Sequence, residues 1–499
     1  MRDMARPRLA IFCLPLLLGA DQAATQAEKE WRSDPEVEAA LAAPPELGAD
    51  LLLALAKGAG RTRKERIEIL GTAFEMASSA QYELRRVGAV GPANNTDSDS
   101  GVVVSALRPG LDKLSLQSRV VEELLSLDAG LAKRLFDLSR PIRIPSLSCE
   151  DALGYSFESF YKTALSVIRR GYSEKEVAEG KPGLLAENLV RQVASPFQLQ
   201  GTLQILLQGE WMAGDLRSLS SALASMLAQL SADDRSFTAG THASVLQDLL
   251  RLDAMLRAND IDPFPLMQAF RGYLLRHLKA SRCADTVDNE ATTRFLDNFN
   301  QHLAAKLPNL EAITAEERKP YRILEAKASV YAFWSAPESK RMLMGLRALR
   351  FGSAEQIEAR KKLNLKRADG MAPYLSDAER STVAWRVELD AFLKEFHEWE
   401  SREDVPALAK FFEKCSILRG LIVLVPDIER KQALLRELLG HVTTAQTRQS
   451  DPPVWRLQLD RVLEIDELRE AEQRSLREIA AMSSDDYVKA RASRVRPVK

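Results

Sequence analysis

DLLLALAKGAGRTRKERIEILGTAFEMAS (residues 50–78) and LDKLSLQSRVVEELLSLDAGLAKRLFDL (residues 111–138) carry the pattern that decides the fold. In the first, Leu51, Leu52 and Leu55 mark a short apolar helix, Gly58 and Gly60 break it, and Ile67, Leu70, Phe74 and Ala77 return at steps of three and four. Such steps place apolar side chains on one face of a helix. In the second, Leu114, Leu116, Val120, Val121, Leu124 and Leu125 form a wide stripe. Asp128 has the chemistry of a helix cap, and Leu131, Leu135 and Phe136 continue on the next helix. A helix pair that cannot bury its own apolar face must be covered by another pair. The expected fold class is therefore all-α: stacked helical hairpins, an α-solenoid-like or irregular multi-helix array with essentially no β-sheet.

The same grammar continues downstream. Phe157, Tyr161, Ala164 and Ile168 share a face, and Leu199, Leu203, Leu206 and Leu207 follow. Leu216, Leu219, Leu223, Met226, Leu227 and Leu230 make a clear stripe, repeated by Val245, Leu249, Leu252 and Leu256 and by Met267, Phe270, Leu274 and Leu278. Helix starts are signalled by Pro44-Pro45-Glu46, Ser173-x-x-Glu176 and Ser195-Pro196-x-Gln198, and by the pairs Thr314/Glu317, Ser335/Glu338, Ser353/Gln356 and Ser376/Glu379. Pro141 to Pro145 reads as an extended connector. Leu421 to Val425 looks strand-like but is flanked by apolar residues at helical spacing, so it reads as a buried helix ending at Pro426. Val102-Val103-Val104 is too short to imply a sheet.

The organisation follows from composition shifts. Residues 1–27 read as a signal peptide: Arg2, Arg6 and Arg8 precede the apolar run Leu9 to Leu18, and Thr25-Gln26-Ala27 offers a cleavage point after Ala27. A buried N-terminal helix is the competing reading. Residues 28–310 read as a helical-hairpin array with a Gly-, Pro-, Asn- and Ser-rich loop at 88–110, and 311–482 as a C-terminal helical domain. Residues 483–499 read as a basic disordered tail. No later segment is apolar enough to span a bilayer, so no transmembrane segment is expected after signal removal.

Charge and motifs narrow the function classes. A net charge of −1 over 499 residues gives no basic excess for a polyanion, so no nucleic-acid partner is expected. Three cysteines remain beyond the signal, too far apart for a zinc ribbon or a thioredoxin-type pair; in an oxidising compartment Cys149 and Cys283 are the candidate disulfide and Cys415 a buried thiol. His397 beside Glu398, with Glu400, Glu403 and Asp404, lacks the second histidine of a zincin helix because Ser401 holds that place. A solvated acidic face is the expectation. His277 and His302 stand on separate helices and could meet only in space. With no nucleophile elbow, phosphate loop or dinucleotide fingerprint, no catalytic residue, metal or cofactor is assigned.

Two surfaces remain as candidates. Trp385, Phe392, Phe396 and Trp399, with Leu389, recur at helical spacing and form either a core face or a groove for a ligand or peptide; exposure decides between them. Arg360, Lys361, Lys362, Lys366 and Arg367 form a possible basic patch for an anionic polymer or lipid headgroup. Ala132-x-x-x-Phe136 resembles one fragment of the tetratricopeptide repeat, but the tryptophan, glycine and tyrosine of that repeat's first helix are missing, so no family is assigned. The chain thus reads as a secreted or periplasmic binding or scaffolding module for a protein or extended polymer of the cell envelope. The alternative is an all-α envelope enzyme, a hydrolase or lyase with dispersed acid and base residues.

Overall fold

From Lys113 to Lys306, helices pack on helices two or three steps along the chain, and where two polar contacts join a pair they show that it runs parallel. The structure, a computed structural model, describes residues 31–58, 60–88, 110–145, 153–231, 242–283, 290–319, 321–324, 333–362, 375–399, 405–444, 459, 463 and 470–494. In the opening unit α1 (Pro35–Ala42), α2 (Pro45–Ala56) and α3 (Arg63–Ser78) pack in sequence. Pro45 starts α2 as its sequence anticipates, and the turn before α3 passes through Gly60 at φ 91°, a left-handed geometry that favours glycine. Helices α1 and α2 approach so closely at Gly48 that a Cβ there would lie 2.3 Å from the carbonyl oxygen of Ala40.

Next come α4 (Lys113–Leu125) and α5 (Ala129–Leu138), whose caps are Asp112 and Asp128; the Asp128 carboxylate accepts the Leu131 N–H at 2.8 Å. Beyond them the array divides into two layers. One layer runs α4, α6 (Glu158–Arg170), α9 (Leu199–Gln208), α11 (His242–Ala258) and α13 (Glu290–Lys306), each packed on the next; the other runs α8 (Lys181–Arg191), α10 (Ala213–Gln229) and α12 (Phe264–Lys279). The Thr163 hydroxyl donates to the Ser118 carbonyl at 3.2 Å and the Ser166 hydroxyl to Glu122 at 3.1 Å, so α4 and α6 run the same way. In the second layer Ser218 donates to Glu187 at 2.8 Å and Arg276 to the Leu227 carbonyl. The short α7 (Glu174–Ala178) opens with the expected Ser173–Glu176 capping box.

Two small strand pairs interrupt the helices: β1 (Arg85–Gly88) pairs antiparallel with β2 (Leu153–Ser156), and β3 (Arg282–Cys283) pairs parallel with β4 (Ile323–Leu324). The protein is all-α, an array of stacked helices with only these fragments of sheet among the described residues. Near residue 310, the Asn300 side chain holds Ile313 by both its N–H (2.8 Å) and its carbonyl (2.9 Å).

The later helices are α14 (Pro337–Phe351), α15 (Ala354–Lys362), α16 (Asp377–Arg380), α17 (Val383–Glu398), α18 (Ala407–Leu424), α19 (Ile428–Thr444), α20 (Glu470–Ala481) and α21 (Asp486–Arg494). Helix α18 ends at Leu424, so the strand-like run is helical as its neighbours require. Capping pairs mostly form as expected, at Ser353/Gln356 and Ser376/Glu379 among others. At Thr314/Glu317 the pair forms but closes a turn rather than an α-helix, and at α14 the cap is Ala336 instead of Ser335, because Pro337 fits the first helical position.

The tail expected at 483–499 is corrected: Asp486–Arg494 is helix α21, because Tyr487, Val488, Ala490 and Ala492 give it a buried face against α20 and α1. The first and last described helices thus touch. Residues 495–499, residues 1–27 that read as a signal peptide, and most of the stretch 88–110 that reads as a loop, Val102 to Val104 included, lie outside the described residues. No described helix is long and apolar enough to cross a membrane.

Asp112 is fully buried at the start of α4, accepts the Ser115 N–H at 2.9 Å, and leaves its second oxygen without a hydrogen-bond partner among the described residues. Burial raises its pKa above the ordinary aspartate value, against the opposing pull of the Ser115 hydrogen bonds. Folding is therefore favoured by this group below the unfolded pKa and loses that contribution as pH rises through the folded value. Asp112→Asn keeps the cap and removes the charge. We expect its stability relative to the parent chain, from urea midpoints, to improve as pH rises from 3 to 7, while Asp112→Ala loses about 1 kcal/mol of capping.

Candidate cleft between two stacked helices

A concavity that combines apolar and convergent polar groups lies between α6 and α9, with β1 and β2 along one side. Its volume is about 520 Å³, within the usual range of ligand clefts. Along α6 it is lined by Glu158, Tyr161, Lys162 and Leu165, which share a face by their spacing of three and four; along α9 and the turn that leads into it, it runs from Phe197 to Gln208. The strand side contributes Val87, Tyr155 and Ser156.

Helices α6 and α9 meet at Gly201. A Cβ there would fall 2.3 Å from the ring of Tyr161, so only glycine lets the ring lie flat against the α9 backbone. The Tyr161 hydroxyl is 3.2 Å from the Thr202 hydroxyl, which also lies 2.9 Å from the Gln198 carbonyl. Burial pushes the phenol up to about 12, opposed by hydrogen bonds to Thr202 and Gln198, so at neutral pH it keeps its proton. At the other end Arg169 of α6 donates to the Gln208 carbonyl of α9. The two helices are pinned at both ends of the cleft.

Between the pins α9 presents Gln200, Gln204 and Gln208, one above another at steps of four. The Gln208 amide donates to the Gln204 carbonyl oxygen, and Gln204 in turn donates to Asp248 of α11 at 2.6 Å. Asp248 is buried and draws Arg251 to 3.5 Å. Glu158 stands at the rim, 3.9 Å from Arg85, and Lys162 is exposed with no ion pair recorded among the described residues. This set offers hydrogen bonds and apolar contact.

The residues singled out in sequence fall elsewhere. Trp385, Phe392, Phe396 and Trp399 are all buried, at 4 to 7 % exposure, with Leu389 at 1 %. The Trp385 indole donates to the Leu349 carbonyl at 3.0 Å, and Gly345 of α14 sits against the ring of Phe392. The stripe is the inner face of α17, packed antiparallel on α14, and as a groove it is corrected. Arg360, Lys361 and Lys362 end α15, but their side chains, like Lys366 and Arg367, lie outside the described residues. Cys149 and the side chain of Cys283 lie outside them as well, whereas Cys415 is buried.

His397 is exposed, 3.3 Å from Glu437 of α19; Glu400, Glu403 and Asp404 are not among the described residues. Among those described, no group of three or more metal-capable side chains forms. His277 is buried with its ring 4.1 Å from that of Tyr273. His302 faces Asp253 at 3.5 Å, but Arg257 already holds that carboxylate by two contacts of 3.1 and 3.2 Å. Burial lowers the His302 pKa, with Arg257 and Lys306 adding to the effect and Asp253 opposing it.

The glutamine column escaped sequence reading because polar residues at steps of four opposite a leucine stripe describe any solvated helix face. The signal available was repetition of one amide type three times. In comparisons with known proteins, no family model, no curated protein and no solved structure matches this chain.

Gly201→Ala forces the Tyr161 ring out of its place. An overpacked contact of this kind costs about 1–3 kcal/mol, and we expect that loss in the urea midpoint, with near-ultraviolet circular dichroism reporting the displaced tyrosine.

Proposed function

We propose that this chain is an exported helical-array module that binds another protein or an extended polymer of the cell envelope along the α6–α9 cleft. The observation that carries the reading is the cleft's shape: it is elongated along two parallel helices, pinned at both ends, and walled by a column of amides. Stacked helical hairpins offer such grooves to extended partners because consecutive helices repeat the same face along one line. Export is supported by the N-terminal pattern of Arg2, Arg6 and Arg8, an apolar run and small residues up to Ala27.

Benzophenone-alanine placed at position 158 on the rim of the cleft, compared with position 482 on the far part of the chain, tests the reading in the producing cell. Ultraviolet irradiation is expected to give a discrete adduct from 158 and none from 482, on a protein whose intact mass begins at Glu28. Equal labelling at both positions, or none, would overturn the binding site; an unprocessed mass in the cytoplasm would overturn export.

A further inference from the structure

We infer that the α6–α9 cleft takes an extended, acidic peptide segment, whose main chain is read by the amides of Gln200, Gln204 and Gln208. This deepens the binding reading above and rests on it. The argument is one of period. Four residues of α-helix advance about 6 Å, so the three side chains leave α9 about 6 Å apart, with the Gln208 amide leaning back onto Gln204 in the free protein. Two residues of an extended chain advance about 6.7 Å. Over both steps of the column the two periods drift apart by only about 1.4 Å, which the side-chain torsions of glutamine absorb.

The chemistry matches as well. On one edge of an extended chain every second residue presents its N–H and its C=O side by side. A glutamine amide offers one acceptor and two donors in one plane, the complement of such a pair. Gln208 spends one donor on Gln204, and Gln204 spends one donor on Asp248 and one lone pair on Gln208, so each keeps a donor and an acceptor site for a ligand. Gln200 has no recorded hydrogen bond among the described residues.

The stretch from Phe197 to Gln208 is about 16 Å long, room for about five extended residues. Phe197 and Leu165, both half-buried, supply apolar contact for alternate side chains. Charge selects the acidic partner. Lys162 lines the cleft with no ion pair among the described residues, and Arg169 closes its end, while Glu158 lies exposed at the rim, 3.9 Å from Arg85.

The test uses the full chain and fluorescein-labelled octapeptide libraries with Glu fixed at alternate positions and the others randomised among Thr, Val and Leu. We expect saturable binding by fluorescence polarisation, weakened about tenfold when the backbone nitrogens of alternate residues are methylated. Gln200→Ala with Gln208→Ala should weaken it by a similar factor, with an unchanged melting temperature as the control for folding. Lys162→Glu should transfer preference from the Glu library to one with Lys fixed. Indifference to N-methylation, no saturable binding, or displacement by a neutral tetrasaccharide of an envelope-type glycan would overturn the inference. An adduct from position 158 without sensitivity to N-methylation would sink the peptide assignment and leave the binding reading intact; absence of both sinks both.

Discussion

Leucine faces that no single hairpin can cover are the constraint on which this structure depends. Leu47, Leu52, Leu70, Leu116, Leu124, Leu206, Leu252 and Leu278 are essentially inaccessible to water, and each is worth about 1.5–3 kcal/mol when fully buried. The polar contacts between parallel helices, such as Ser166 to Glu122 and Ser218 to Glu187, contribute about 1 kcal/mol or less each. Magnitude therefore assigns the roles: apolar burial holds the layers together, and the polar rungs set how far one helix slides past the next.

The later helices obey the same rule, with ion pairs along their surface and the charged groups of Glu413 and Lys431 buried. Asp390 meets Arg430 at 2.8 Å and His397 meets Glu437 at 3.3 Å, which fixes α17 and α19 as parallel. Arg341 meets Glu395 at 2.6 Å, while Trp385 reaches the Leu349 carbonyl, so α14 and α17 are antiparallel. Lys431 and Glu472 pair at 2.5 Å with little solvent access, joining α19 to α20. Glu413 is fully buried in α18 and accepts the Trp334 N–H at 2.9 Å and the Ser339 hydroxyl at 2.7 Å. A buried charge with its partners removed is costly, so the contacts of Glu413 and of Lys431 with Glu472 penalise any other register more than they reward this one, while the exposed pairs of α17 add little.

Periodicity made the helices legible, because a helical face is a local property. The stripes at Leu216 to Leu230, Val245 to Leu256 and Met267 to Leu278 are buried as their spacing implies. What spacing could not say was which stripe faces inward when two readings share it, and the aromatic face of α17 went to the core. Strand pairing was invisible for the opposite reason. Arg85–Gly88 is four residues long and finds Leu153–Ser156 across α4 and α5, so nothing in either segment alone announces the other. Helix α21 was missed because Lys489, Arg491 and Arg494 alternate with the four small or apolar residues that do the packing, in a segment too short to show a stripe. The cleft was illegible in the same way, since Tyr161 and Gly201 meet only after α6 and α9 have stacked.

Stacked helices elsewhere in the array fill the seam between them. Between α4 and α6, Thr163 and Ser166 spend their hydroxyls on the neighbouring helix, and Arg170 reaches back to Glu122. Along α9 the corresponding surface carries amides that keep spare donors and acceptors. Such a surface costs the folded protein little while water satisfies it, but an apolar ligand that displaced this water would leave several polar groups unpaired, at about 1–3 kcal/mol each. A ligand that returns a donor and an acceptor at each step avoids that penalty. Solvation alone therefore turns a column of ordinary glutamines into a selective surface, favouring chains with a regular hydrogen-bonding edge over bulkier or greasier occupants of equal size.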